Sequence, residues 1–176
     1  MNFIEEYNIP KNICDKFIDY HKKNKEYKFL GPFPSLEKKS TDVYFYNSSN
    51  TPFIKKFYKH LSESVQHYCD KYNIRFQIRT FLSNHIQYYK PGEGVSNLHY
   101  EKNNGSSIRR ELVYMLYCNN LKKGGTHFPN QNQTLQARTG KMYIWPAFFT
   151  HPHQGVISKT EEKYIVTGWF EVVEKQ

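Results

Sequence analysis

With 176 residues and no Pro-, Gly- or Ser-rich linker, the chain is long enough to bury one substantial core and is read as a single domain spanning 1–176. Its 25 Lys and Arg against 16 Asp and Glu leave a net charge of +9, which suits an anionic partner, so nucleic acid stays open beside a peptide or protein. No stretch of about eighteen apolar residues and no basic-then-apolar N-terminus occurs, which predicts a soluble, intracellular, cytoplasmic protein without a membrane span or signal peptide. Three cysteines, Cys14, Cys69 and Cys118, are an odd number without C-x-x-C spacing; they predict reduced thiols and argue against a disulfide framework or a zinc site.

The first element expected is a helix from Pro10 to His21, with Pro in the first turn and apolar residues at Ile13, Cys14, Phe17 and Ile18. A break follows at Gly31-Pro32-Phe33-Pro34, then a short alternating run Val43-Tyr44-Phe45-Tyr46. A second helix begins near Thr51-Pro52, carries Phe53, Ile54, Phe57, Leu61, Val65, Tyr68 and Cys69, and ends by Asn73. Six lysines, Lys11, Lys16, Lys22, Lys23, Lys25 and Lys28, are assigned to the first helix region as a solvated face.

From Ile74 the pattern changes to short strands between turns, at about 75–82, 85–90, 97–101, 111–119, 125–129, 133–138, 141–146, 152–157 and 162–172. The expected fold is therefore mainly β with supporting N-terminal helices (α+β). Helical support covers about 1–73 and a sandwich or barrel about 74–172. Aromatic residues make up 17% of the chain, so Phe and Tyr must supply much of the core; Trp145 and Trp169 are read the same way.

His99-Tyr100-Glu101 is the most informative tripeptide. In an extended segment His99 and Glu101 point to one side and Tyr100 to the other, so an imidazole and a carboxylate share a face. With His151 fifty-two residues after His99, the set has the composition of a 2-His-1-carboxylate centre, which leaves coordination positions open on Fe(II). His153 has the same parity as His151 and is a candidate for the second shell or for substrate contact. His21, His60, His67, His85 and His127 fit ordinary core or surface positions.

Around that tripeptide stand Gln87-Tyr88-Tyr89-Lys90-Pro91-Gly92, Leu112-Val113-Tyr114-Met115-Leu116-Tyr117-Cys118-Asn119, Gly124-Gly125-Thr126-His127-Phe128-Pro129, Gly140-Lys141-Met142-Tyr143-Ile144-Trp145-Pro146, Thr150-His151-Pro152-His153-Gln154-Gly155-Val156 and Lys163-Tyr164-Ile165-Val166-Thr167-Gly168-Trp169. In this order and spacing, the blocks resemble the catalytic core of the Fe(II)/2-oxoglutarate-dependent dioxygenases, and within them the prolyl 4-hydroxylase-like branch. The resemblance extends over residues 76–172.

This resemblance implies a double-stranded β-helix (jelly-roll) with His99, Glu101 and His151 on Fe(II). It implies Lys163 as the partner of the distal carboxylate of 2-oxoglutarate, and Tyr89 and Tyr117 lining the co-substrate pocket. Substrate contacts are expected from Arg109, Arg110, His153 and Trp169, with the loop from Lys102 to Arg110 as a lid. The implied reaction hydroxylates an unactivated C–H bond, most readily of a prolyl residue in a peptide, with O2 consumed and succinate and CO2 released; ascorbate is allowed for as an accessory reductant. Glutamate at 101 departs from the family's usual aspartate, and a carboxylate there argues against a halogenase. Two other readings stand beside this one: a nucleobase or small-molecule hydroxylase or demethylase, supported by the charge alone, and a non-catalytic β-sandwich binding module.

Overall fold

The computed structural model describes residues 2–24, 28–33, 38–103 and 105–173, with side chains described at all of these except 28–33 and 106. In chain order, β1 (Glu5–Asn8) and α1 (Lys11–Lys23) lead into β2 (Lys28–Phe33) and β3 (Lys38–Tyr46), followed by α2 (Pro52–Lys71). The remainder is β4 (Ile78–Thr80), β5 (Ser83–Tyr89), β6 (Arg110–Tyr117), β7 (Gly125–Phe128) and β8 (Gln133–Leu135), then β9 (Lys141–Pro146), β10 (Gln154–Val156) and β11 (Lys163–Val172). A large antiparallel sheet runs β1-β9-β6-β11-β5-β3-β2, with β4 also pairing with β11, and a small sheet runs β10-β7-β8.

The helices cover one face of the large sheet. Along β6, Leu112, Tyr114 and Leu116 join the cluster shared with α1 and α2, whereas Val113 and Tyr117 join the cluster shared with the small sheet. Along β11 the same alternation sends Tyr164, Val166 and Phe170 to the helices and Ile165 and Trp169 to the opposite face. Strand period two thus divides the core into two layers, and β11, buried nearly throughout, belongs to both. Gly168 permits this: a Cβ there would lie 2.1 Å from Asn84 Oδ1, the atom that accepts the Tyr114 hydroxyl at 2.7 Å.

Apolar residues at helical spacing hold the supporting layer. α2 buries Ile54, Phe57, Leu61 and Tyr68, and α1 buries Ile13, Cys14 and Phe17. The Phe17 ring centroid lies 5.1, 5.1 and 5.0 Å from those of Phe45, Phe53 and Phe57, so one aromatic knot ties both helices to β3. α2 stops where Asn73 takes a left-handed φ of 56° and the Ile74 N–H returns to the Cys69 carbonyl at 2.9 Å.

Four expectations change. The segment expected to be a strand at 97–101 forms no ladder; it bends at Asn97 and Glu101 and is held by an isolated bridge, His99 to His153. Residues 31–33 are part of β2 rather than a break, because β3 offers them a pairing edge; Pro34 lies outside the described residues. α1 ends at Lys23, so Lys28 belongs to β2, and Lys25 lies outside the described residues. β1 has no apolar alternation and is paired only along β9, which explains its absence from the expected strands. The three cysteines are buried and free, and among the described residues no helix is long and apolar enough to cross a membrane.

Candidate metal centre and co-substrate cavity

A cavity of about 240 Å³ opens between the inner face of the large sheet and the small sheet. His99, Glu101 and His153 line its mouth, and one ligand atom from each falls within 4.8 Å of the others. Glu101 Oε1 lies 3.7 Å from His99 Nε2 and 3.6 Å from His153 Nε2. These separations are too long for good hydrogen bonds, and they leave space for a cation about 2 Å from each atom.

The backbone fixes which imidazole nitrogen faces that space. His99 Nδ1 is 2.9 Å from the Asn97 carbonyl and His153 Nδ1 is 3.0 Å from the His151 carbonyl, so each Nδ1 donates and each Nε2 presents its lone pair. Reciprocal backbone bonds, His99 N–H to His153 O at 3.0 Å and His153 N–H to His99 O at 2.8 Å, hold the two rings in register. Burial alone would raise the Glu101 carboxyl, but the two imidazoles hold it well below the usual carboxylate range. Burial likewise opposes charge on His99, yet the neighbouring Glu101 raises its pKa. Two nitrogen donors and one anionic oxygen, converging and preoriented, form the donor set that suits Fe(II).

His151 is not in this group. Its N–H bonds to Phe148 O at 2.9 Å in a turn, and its buried ring is held away from the cavity, with Nε2 2.8 Å from Asn2 O and Nδ1 2.8 Å from Thr150 Oγ1. The second imidazole of the group is thus placed by His153, which the sequence assigned to the second shell or substrate contact, and not by the expected His151.

The same cavity is lined by Lys163, the first residue of β11, 6% exposed and with Nζ 4.5 Å from the Tyr89 ring centroid. Burial lowers its pKa to about 8. Gly155 keeps this end open, since a Cβ there would meet Val95 O at 3.0 Å and stand 3.8 Å from Lys163 Nζ. Tyr89 lines the cavity and donates its hydroxyl to Gln87 Oε1 at 2.8 Å. Tyr117 stops one residue short: its hydroxyl is 2.7 Å from Thr126 Oγ1, and it is Thr126 that lines the space.

Arg110 and Trp169 also line the cavity, both against Glu101, whereas Arg109 is directed away and pairs with Glu171 at 3.1 Å. The expected lid contains a short 3-10 turn at Gly105–Ser107, latched by Ser107 Oγ donating to Asn103 Oδ1 at 2.7 Å; Arg110 belongs to β6.

Sequence reasoning missed Lys38, His85, Gln87 and Thr126 as lining residues. His85 and Gln87 share the parity of Tyr89 on β5, so strand alternation contained the signal. Asp42 supports this wall: it accepts Lys38 Nζ at 2.6 Å, Ser40 Oγ at 2.7 Å and Gln87 Nε2 at 3.2 Å, and His85 Nδ1 lies 3.7 Å away.

Several solved structures share this architecture. The viral collagen prolyl hydroxylase of Paramecium Bursaria Chlorella virus-1, solved as a 2OG complex, superposes with a TM-score of 0.78 at 19% identity over 97% of each chain. A Pseudomonas putida prolyl-4-hydroxylase gives 0.72 at 12% identity, covering 99% of this chain and 95% of that one. A Trichoplax adhaerens prolyl hydroxylase, in complex with a hypoxia inducible factor oxygen degradation domain peptide fragment, gives 0.74 at 12% identity over 97% and 84%. No curated protein sequence matches the chain. The family model of the 2OG-Fe(II) oxygenase superfamily matches residues 81–171, a stretch that contains the converging triad, Lys163 and every strand of the inner face from β5 to β11. The fold is the double-stranded β-helix of the prolyl hydroxylases, and the chain belongs to the 2OG-Fe(II) oxygenase superfamily as a 2-oxoglutarate-dependent dioxygenase.

Proposed function

We propose that the protein hydroxylates a prolyl residue in a peptide or protein, with His99, Glu101 and His153 holding Fe(II) and Lys163 anchoring 2-oxoglutarate. The observation that carries this reading is the shared cavity: a preoriented two-imidazole, one-carboxylate face and a buried ammonium line one space of about 240 Å³. When bound, the metal supplies oxidation of a C–H bond driven by dioxygen and decarboxylation of the keto acid.

The chain's own residues do the positioning. Lys163 offers a desolvated positive charge to a carboxylate, and such a pairing is stronger there than in water. The Tyr89 ring lies against that ammonium, and Ile165, Met115 and Val95 add apolar lining that excludes water. Outside the mouth, a surface groove lined by Asn97–Tyr100, Asn103, Phe149 and Pro152 continues from His99, and Leu98 and Phe149 are largely exposed along it. An extended peptide fits such a shape. Similarity to three prolyl hydroxylases makes proline the first residue to test. The +9 charge gives little support for a nucleic acid, because the cations nearest the mouth are paired: Arg110 with Glu101, Lys102 with Glu111 and Arg109 with Glu171.

The test is incubation of the iron-loaded protein with 2-oxoglutarate, O2 and a panel of proline-containing peptides. The expected products are succinate in equal amount to peptide that has gained one oxygen atom, located on proline by fragmentation. Peptide-stimulated succinate formation absent across the panel, alongside oxidation of free nucleobases or other small molecules, would replace the prolyl substrate.

A further inference from the structure

The two oxygens of Glu101 have different surroundings. Oε1 faces the two imidazole Nε2 atoms, at 3.7 and 3.6 Å. Oε2 accepts hydrogen bonds from Arg110 Nη1 at 2.9 Å and from Trp169 Nε1 at 3.0 Å. Arg110 Nη1 also reaches the Glu101 backbone carbonyl at 3.2 Å, so one guanidinium grips the residue at both ends. The guanidinium carbon in turn lies 3.7 Å from the centroid of the Trp169 ring, which makes the two donors a single stacked unit. They come from neighbouring strands, β6 and β11, whose pairing sets their separation.

A glutamate has one more rotatable bond than an aspartate. Left free, its carboxylate has more conformations to lose on binding a metal and can turn to present both oxygens, as carboxylates do on larger cations. Two-oxygen binding would fill a coordination position that a chelating keto acid or dioxygen needs. Holding Oε2 by two donors in a site of low dielectric removes that freedom, since charge-assisted bonds are among the strong ones.

We propose that Arg110 and Trp169 are positioning residues that fix Glu101 as a one-oxygen metal ligand, by withdrawing Oε2 from the metal and aiming Oε1 at it. The proposal rests on the assignment of His99, Glu101 and His153 as the metal site. It makes the longer carboxylate and its two donors one unit, so that glutamate at this position works only with the clamp present.

Co(II), which needs no oxygen and reports coordination through its visible bands, is the probe. Wild type, Arg110→Gln, Arg110→Lys and Trp169→Phe are titrated with Co(II), then with 2-oxoglutarate, and each apo variant is first checked for a cooperative thermal transition. Trp169→Phe retains the ring and loses only the donor, so it stays informative should Arg110→Gln fail to fold. The expected result is a Co(II) dissociation constant raised roughly tenfold in Arg110→Gln and in Trp169→Phe, with altered bands and a smaller spectral response to 2-oxoglutarate. Arg110→Lys restores part of the affinity. In a Glu101→Asp background, removing the Arg110 guanidinium changes Co(II) affinity far less than in the wild type. Folded Arg110→Gln and Trp169→Phe variants with wild-type affinity and bands would overturn the clamp alone. No Co(II) binding by wild type would overturn the metal site with it.

Discussion

His151 and His153 are two residues apart and face opposite ways: His153 Nε2 lies 3.6 Å from Glu101 Oε1, while His151 Nε2 lies 2.8 Å from the Asn2 carbonyl. Alanine at each position should therefore separate two roles. His153→Ala is expected to weaken Co(II) or Fe(II) binding by at least about a hundredfold, beyond what loss of an orienting residue brings. His151→Ala should keep metal affinity within about tenfold of wild type and lower stability by about 1 kcal/mol, through the lost bond to Asn2. Metal titration with a thermal melt of each variant checks both.

Lys163 carries a cost in the empty protein. Its folded pKa, about 8, is below the ordinary value of 10.5, so between these pH values the unfolded chain binds the extra proton. Stability of the apo protein should then rise as pH increases from about 8 towards 10, with the full penalty, about 3 kcal/mol, present below pH 8. Binding of 2-oxoglutarate should show the opposite trend and weaken above pH 8, as the ammonium is lost. Lys163→Met is expected to raise the apo melting temperature at pH 7 and to abolish 2-oxoglutarate binding. Denaturant melts against pH, with calorimetry of ligand binding, read both effects.

Tyr89 and Tyr117 should differ as ligands of the co-substrate. Tyr89 lines the cavity beside Lys163, whereas Tyr117 reaches it through Thr126. Tyr89→Phe is expected to weaken 2-oxoglutarate binding roughly tenfold and Tyr117→Phe by less than about threefold, on the scale of one hydrogen bond. Equal losses in a binding titration would show that Thr126 transmits the full contribution of Tyr117.

Acid should act on the support behind β5. Burial alone would raise the Asp42 carboxyl, but Lys38, Ser40 and neighbouring His85 hold it down to about 2, below the ordinary 3.8. The stability this contributes, about 2 kcal/mol, is present above pH 4 and lost as pH falls towards 2. Asp42→Asn is expected to cost about 3–5 kcal/mol at pH 7, because it breaks the buried Lys38–Asp42 ion pair. Urea melts at pH 7 and pH 3 should show the gap between wild type and variant narrowing in acid.

Much of this was legible because strand parity is written into the chain. Ile165, Thr167 and Trp169 alternate with Tyr164, Val166 and Phe170, and His99 shares a face with Glu101 across Tyr100, whatever the exact boundaries. The choice between His151 and His153 was not legible, since the two have the same parity. It depends on the turn at Phe148–His151 and on a bridge to His99, both set by distant backbone. The Arg110 grip on Glu101 was hidden for a related reason: the loop 102–109 separates them, and only the pairing of β6 with β11 brings Trp169 to the same oxygen.

β11 lies between β6 and β5 in the large sheet, yet among the described residues it is the last strand to be made. During synthesis on a ribosome, β5 and β6 emerge with no partner at the edges that β11 will occupy; β6 ends at Tyr117 and β5 at Tyr89, and both must wait until the chain from Lys163 onward has been made. Those waiting edges are where a nascent chain would aggregate, and contacts of such long range make for slow closure. A premature stop near residue 160 would therefore remove the spine of the sheet rather than its fringe, and no truncated product would be expected to keep a folded β-core.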